Sequence, residues 1–170
     1  MIGLLLKGAG YYYRYFTHET HNLLMSRNFH SIKSAGSCAD IFTIPMWSDN
    51  YCYVLVDRET KLAAIVDPGE PHAVVAGLEK IDCKVNMVLC THKHDDHANG
   101  NLHFASLYPG LPVMTTKHEP IPGGTHLLTE GDEFDFGSLK VRVLYVPCHT
   151  AGHIAFVVSG PTGSSILCSG

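Results

Sequence analysis

Four side chains that can bind a metal ion stand within six residues of one another: His92, His94, Asp96 and His97. The apolar stretch 85–90 leads into them, as expected of a buried strand that ends in a loop. Side chains two apart in an extended segment point the same way, so His92 and His94 can converge on one metal ion, while Asp96 and His97 on the following turn can face a second. Imidazole and carboxylate ligands suit Zn(II), Fe or Mn. The spacing therefore predicts a ligand loop for two metal ions.

A second histidine segment, 146–153, also follows an apolar stretch. His149 would complete a set of three histidines with His92 and His94. By spacing alone His153 is equally eligible, and we favour a buried or supporting role for it. Two distant segments of the chain are therefore expected to meet at one metal site.

The composition argues against two classes of partner. Only 16% of the residues are charged and the formal net charge is −4, so the chain lacks the broad basic surface that nucleic-acid backbones require. No stretch approaches the roughly 18 apolar residues of a membrane span. With 45% hydrophobic residues in 170, the chain is typical of a globular domain. We expect a monomer that binds neither nucleic acid nor membrane.

The six cysteines form no Cys-x-x-Cys pair and are widely spaced. A chain of this size does not need disulfides to be stable. We interpret them as mostly buried thiols of a protein in a reducing compartment, with a disulfide framework as the alternative.

Residues 1–37 differ from the rest of the chain. They contain four basic residues and one acid, a charge of 4 − 1 = +3, together with many Ser, Thr and Tyr residues. This composition is typical of organelle transit peptides. We therefore predict a transit peptide that directs the protein to mitochondria, or a disordered extension of a cytoplasmic protein as the alternative, with the folded domain over 38–170.

Within 38–170, short apolar segments alternate with turn residues and with two stretches of helical periodicity. The turn at Asp67-Pro68-Gly69 ends one of the first strands. The pattern predicts helices over 71–80 and 101–108, and strands over 41–45, 51–57, 61–66, 85–90, 112–115, 139–146, 154–159 and 165–169.

The pattern His92-x-His94-x-Asp96-His97 with the later His149 resembles the signature of the metallo-β-lactamase superfamily. Within it, further phrases resemble glyoxalase II, the hydroxyacylglutathione hydrolases, from about residue 41 to the last residue. Those phrases are Asp49-Asn50-Tyr51, Ile65-Val66-Asp67-Pro68-Gly69, Asn99-Gly100-Asn101 and Pro147-Cys148-His149-Thr150-x-Gly152-His153-Ile154.

The resemblance implies an α/β fold, a four-layer αββα sandwich with the site at the edge between the sheets. It implies that His92, His94 and His149 hold one divalent metal and that Asp96 and His97 contribute to a second, with zinc expected and iron or manganese as alternatives. The expected reaction is hydrolysis of the thioester S-lactoylglutathione to D-lactate and glutathione by metal-bound hydroxide, part of methylglyoxal detoxification.

Two further residues acquire roles from the resemblance. Asp96 is expected to orient the hydroxide as well as to bind metal. Asp67 occupies the place where the superfamily commonly keeps a carboxylate that fixes the ligand loop, although an aspartate that merely initiates the turn would look the same.

The sequence departs from the resembled family at its C-terminal end. After a Ser/Thr-Gly such as Ser169-Gly170, that family has an aspartate that bridges the two metals, followed by another metal-binding histidine and a helical domain that holds glutathione. We therefore expect a partial domain, the N-terminal half to two-thirds of the sandwich, that is weak or inactive alone. Its isolated sheet should expose an apolar face.

Two alternative functions stay open from the sequence. A persulfide dioxygenase shares the fold and glutathione substrates but uses one iron, although it usually lacks the pairing of Cys148 with His153. A non-catalytic metal-binding or interaction module that has lost the second half of the domain is the other alternative.

Overall fold

A computed structural model describes residues 30–32 and 39–170. The larger of its two sheets contains the strands β1 (His30–Ile32), β2 (Ala39–Met46), β3 (Asn50–Asp57), β4 (Leu62–Val66), β5 (Lys84–Leu89), β6 (Val113–Thr116) and β7 (His126–Leu128). These seven strands lie in chain order. The pairings from β1 to β4 are antiparallel and those from β4 to β7 are parallel.

Parallel neighbours need a crossover connection, which is usually a helix. Helix α1 (Pro71–Leu78) connects β4 to β5, with proline in its first turn where the missing N–H costs nothing. Between β5 and β6 lie a single turn, α2 (Asp95–Ala98), and α3 (Asn101–Leu107). Because β4 and β5 are parallel, with Val66 opposite Leu89, the residues that follow them meet at one edge of the sheet.

The smaller sheet is antiparallel and has four strands: β8 (Glu133–Phe136), β9 (Leu139–Tyr145), β10 (Ile154–Ser159) and β11 (Ser165–Cys168). Apolar and exposed residues alternate along β9, with Leu139, Val141 and Val143 buried. This period of two is that of a strand with one face on the core.

Two hydrophobic cores separate the layers. One lies between the two sheets and includes Leu55, Phe136 and Phe156. The other lies between the larger sheet and its helices and includes Ile44 and Phe104. Three of the four expected layers are therefore present in the described part of the chain, and the expected α/β sandwich class is confirmed.

The face of the larger sheet that points away from its helices is covered in the described part of the chain. The sequence pattern assigns no strand to residues 126–136, but the structure forms β7 and β8 there, and β8 to β11 cover the sheet. Those two strands are three and four residues long, which is too short for alternation to stand out in the sequence. The outer face of the smaller sheet is the one that remains open, with Leu167 62% exposed.

Most predicted helices and strands are confirmed with ends shifted by a residue or two. Strand β1 pairs with β2 from within the segment 1–37. The other residues of that segment lie outside the described ranges, so the transit peptide or disordered extension stays a prediction.

The five described cysteines, Cys52, Cys83, Cys90, Cys148 and Cys168, are all free, and three of them are buried. This agrees with the interpretation as buried thiols; Cys38 is outside the described ranges. Among the described helices, none has both the length and the apolar character needed to cross a membrane.

Candidate metal centre

The first ligand segment begins where β5 ends. Thr91 and His92 are buried at that end, and His94 keeps an extended backbone (φ −62°, ψ 142°) before α2 begins at Asp95. His92 and His94 therefore lie on the extended part, while Asp96 and His97 lie on the helical turn. This is the division that the spacing predicts.

The second segment, between β9 and β10, brings His149 to the same place. His94 Nδ1 lies 3.1 Å from His92 Nε2 and 3.0 Å from His149 Nε2. All three nitrogen ligand atoms lie within 4.8 Å of one another. Tetrahedral zinc with Zn–N bonds of about 2.05 Å needs its ligand nitrogens roughly 3.3 Å apart. The arrangement of the three histidines therefore fits a divalent metal.

A chain of hydrogen bonds fixes the tautomer of His92. The Thr91 hydroxyl donates to Asp67 Oδ2 at 2.8 Å, because a carboxylate only accepts. Its contact with His92 Nδ1, at 2.9 Å, then requires the proton on Nδ1. The lone pair of His92 is left on Nε2, the atom that faces His94 and His149.

The electrostatics also favour metal binding by His92. Burial, together with the nearby histidines His97, His153 and His149, lowers the pKa of His92 to about 4, against the opposing effect of Asp67. A metal ligand has to be the neutral imidazole. His92 is in that form at neutral pH without having to lose a proton.

Asp96 and His97 form a second group of ligand atoms beside the three histidines. His97 Nε2 lies 3.3 Å from Asp96 Oδ2, while His97 Nδ1 lies 3.0 Å from Asp67 Oδ2. Burial lowers the pKa of His97, but the hydrogen bond and charge of Asp67, with the charge of Asp96, outweigh it and raise the pKa overall. The side chain of Asp96 is 52% exposed, so it is open to a ligand.

Asp67 supports both groups of ligands. Besides the Thr91 hydroxyl and His97, it accepts the backbone N–H of Thr91 at 2.8 Å. The Asp67 backbone is in the left-handed region (φ 51°), and its carbonyl accepts the N–H of Gly69 in the turn. The two interpretations left open by the sequence thus describe one residue that both makes the turn and contacts the ligand loop.

The turn that contains Asp67 packs directly on the ligand loop. A Cβ atom at Gly69 would overlap the carbonyl oxygen of Asp96. A residue without a side chain is therefore required there for the two segments to touch.

His153 lies near the three histidines but outside their convergent set. Its ring centroid is 4.8 Å from that of His92, and its Nε2 donates to the carbonyl of Ser169 at 2.8 Å. It lines an open cavity of about 450 Å³ whose walls are formed by Asp49, Asn50, His92, Asp96, His97, His149, His153 and Gly170. The cavity has the size of a small-molecule site.

Sequence reasoning missed three residues that hold this site together. Thr91 connects Asp67 to His92. Asn50 donates its side-chain N–H to Asp96 Oδ2 at 2.9 Å. The Asp49-Asn50-Tyr51 motif is recognised in the sequence, but it assigns no role to Asn50. Glu119 contacts both histidine segments, and in sequence it looks like any acid that precedes a proline in a loop.

Comparison with known protein families gives one broad match. The family model described as the metallo-beta-lactamase superfamily matches residues 46–164. The matched range includes every predicted metal ligand and Asp67.

Two curated relatives are similar enough to this chain to be aligned with it at about 40% identity. A cytoplasmic hydroxyacylglutathione hydrolase of Arabidopsis thaliana is 39% identical over 126 residues, which are 74% of this chain and 49% of the relative. A hydroxyacylglutathione hydrolase of Gloeobacter violaceus is 40% identical over 114 residues, 66% of this chain and 45% of the relative. The chain spans about half the length of the curated relatives it matches.

Among solved structures, a metallo-beta-lactamase of Cronobacter sakazakii, a mutant of its HARLDQ motif, matches with a TM-score of 0.64 at 14% identity. The match covers 75% of this chain and 59% of that one. At this identity the match shows a shared fold.

Proposed function

The chain belongs to the metallo-beta-lactamase superfamily, and from that membership we propose that it is the metal-binding part of a hydroxyacylglutathione hydrolase. The substrates would be S-lactoylglutathione and related S-acylglutathiones, hydrolysed to D-lactate or another acid and glutathione. The support for this substrate class is the name shared by two relatives at 39% and 40% identity. In the cell, the reaction would contribute to methylglyoxal detoxification.

The observation that carries the proposal is the convergence of three histidine nitrogens beside an exposed carboxylate in an open cavity. His92, His94 and His149 would hold the first metal ion. Asp96 and His97 would contribute to a second. A divalent metal bound there would lower the pKa of water and polarise the thioester carbonyl.

Two side chains of the protein would assist the attack of water on the thioester. Asp96 Oδ2 would accept the proton of the attacking water, and the Asn50 amide holds that oxygen at 2.9 Å. In the overall reaction the acyl C–S bond breaks, the acyl carbon gains the water oxygen, and the leaving sulfur gains a proton. The open cavity leaves space for the acyl group and part of the glutathione.

The two metal positions are not equally complete in the described residues. The first has three converging nitrogen ligands, whereas the second has Asp96 and His97. We expect zinc at the first position, with iron or manganese as alternatives, and weaker binding at the second. These 170 residues alone should therefore be weakly active or inactive.

An assay of thiol release from S-lactoylglutathione tests the proposal. It should be run with zinc on this chain and on a longer chain that spans the full length of the curated relatives. We expect hydrolysis by the longer chain, abolished by a chelator and restored by metal. If the longer chain binds two metals and releases no thiol, the substrate assignment is wrong.

Oxygen uptake with glutathione persulfide is the matching control for the dioxygenase alternative, which the names of the relatives do not favour.

We also propose that residues 1–37 direct the protein to mitochondria. A fluorescent fusion with and without those residues tests this, and identical localisation of the two fusions would contradict it.

A further inference from the structure

Glu119 is a buried acid that the proposed chemistry does not use. It follows β6 and lies in the connection to β7, with a side chain that is 4% exposed. A carboxylate so far from water is stable only if its oxygens accept several hydrogen bonds. Its partners therefore show what it holds in place.

The partners of Glu119 come from both histidine segments. Oε1 accepts the backbone N–H of Lys93 at 3.0 Å and the hydroxyl of Thr150 at 2.8 Å. Oε2 accepts the backbone N–H of Gly152 at 3.1 Å, and the ammonium of Lys93 lies 3.7 Å from it. One carboxylate thus connects two segments that are far apart in sequence.

These partners adjoin the metal-binding residues. Lys93 stands between His92 and His94, and Thr150 directly follows His149. The two segments are also joined by a hydrogen bond from Ile154 N to the carbonyl of Thr91, at 3.0 Å. That bond lies at the strand ends, whereas Glu119 holds the segments beside the histidines themselves.

Gly152 provides a second indication that the carboxylate is closely fitted. A Cβ atom at Gly152 would overlap the Cγ of Glu119, with its Cβ and carboxyl carbon 2.7 Å away. The second histidine segment therefore wraps around the side chain of Glu119, and residue 152 has no room for any side chain.

We propose that Glu119 is a positioning residue that sets the separation of the two histidine segments and thereby the affinity and geometry of the first metal position. The proposal rests on the metal site of the proposed function but not on its substrate. The hydrogen-bond partners of Glu119 are neighbours of the ligand histidines and not their rings, so it acts through the chain on either side of them. Loss of a partner that orients metal ligands typically lowers metal affinity by about 10–100-fold.

The test compares E119Q with D57N by zinc affinity, measured by competition with a chelator, and by the absorption spectrum of the Co(II)-loaded chain. Gln keeps the size of Glu but turns one acceptor into a donor that faces N–H groups. Asp57 is also a buried carboxylate, and it lies at the other end of the fold. We expect E119Q to bind zinc roughly 10–100-fold more weakly, with an altered Co(II) spectrum, and folded D57N to match the wild type in both.

A milder variant covers the case in which E119Q fails to fold. T150V keeps the shape of Thr150 and removes one of the hydrogen bonds to Glu119, so we expect a smaller loss of affinity in the same direction. Wild-type affinity and an unchanged Co(II) spectrum in E119Q, or in T150V where E119Q does not fold, would overturn the proposal. A longer chain that binds two metals but fails the thioester assay would refute the proposed substrate and leave this inference standing.

Discussion

Two buried carboxylates, Asp57 and Glu119, serve opposite ends of the fold. Asp57 ends β3 next to the start of β4, and the metal site begins beyond the other end of β4. Asp57 accepts hydrogen bonds from the Thr60 hydroxyl, the Glu59 N–H, and both the N–H and hydroxyl of Ser138. It joins a turn of the larger sheet to a turn of the smaller one, as Glu119 joins two loops.

Both ends of the fold have a buried, hydrogen-bonded carboxylate that joins two loops, but the loops carry different residues. Burial raises the pKa of both carboxyls, but hydrogen bonds outweigh it, from Thr60 and Ser138 at Asp57 and from Thr150, Lys93 and Gly152 at Glu119, so both pKa values are lowered. The loops at the Glu119 end carry histidines, and those at the Asp57 end carry no described metal-ligand cluster. A buried carboxylate between loops therefore identifies a point of attachment, and only the neighbouring residues tell whether it serves stability or chemistry.

The largest expected effect comes from removing a ligand at the histidine end. H149A leaves His92 and His94 without their third nitrogen, so zinc affinity should fall by more than about 100-fold, beyond the range typical of supporting residues. Isothermal titration with zinc measures it. H126A, which removes an exposed histidine from β7, is the matched control and should bind as the wild type does. Equal zinc affinity in H149A and wild type would mean that the metal binds elsewhere.

Asp67 should give the next largest effect. D67N keeps a residue type that tolerates the left-handed backbone of this position, but its amide cannot accept from Thr91 N, the Thr91 hydroxyl and His97 together. Zinc affinity should fall by about 10–100-fold. The pKa of His97 in the metal-free chain should fall too, which NMR titration of its ring protons can follow. An unchanged pKa of His97 would argue against the contact with Asp67.

At the other end, D57N should affect stability and leave zinc affinity alone. The four donors now around Asp57 would face an amide with one acceptor oxygen, and leaving buried groups unpaired costs about 1–3 kcal/mol. Urea unfolding of the metal-free chain measures the loss. Weaker zinc binding by folded D57N would show that the two ends are coupled, and the distinction between them would fail.

Some features of the two ends can be predicted from the sequence, and others cannot. His92, His94 and His149 could be predicted because metal ligands cluster after apolar strands, and β9 because its alternation is regular. The strand β8 alternates acids with phenylalanines, but over only four residues, which is too short a run to predict a strand. The donors to Glu119 lie 26 to 33 residues away in sequence, and two of the four donors to Asp57 come from Ser138, 81 residues away. Such contacts exist only in the folded chain.

The smallest expected effect is on the pH dependence of the free energy of unfolding of the metal-free chain, to which the two ends contribute in different pH ranges. His92 has its pKa lowered from 6.5 to about 4, so between these values the unfolded chain binds more protons and the free energy of unfolding falls as the pH falls. His97 acts in the opposite sense in another window. Its raised pKa gives stability that is fully present below 6.5 and is lost as the pH rises through the raised value.

Asp57 acts at lower pH than either histidine. Its folded pKa lies below the ordinary 3.8, so its stabilisation is present above that value and disappears as the pH falls through the lowered one. Urea unfolding from pH 7 to 3 with a chelator should show the His92 decline in both wild type and D57N. Below about pH 4 the decline should be steeper in wild type than in D57N, because Glu119, whose pKa is also lowered, contributes to both proteins and Asp57 to the wild type alone. If D57N also lost the decline between pH 6.5 and 4, the two ends of the sandwich would not titrate independently, because Asp57 would then influence His92 across the length of β4.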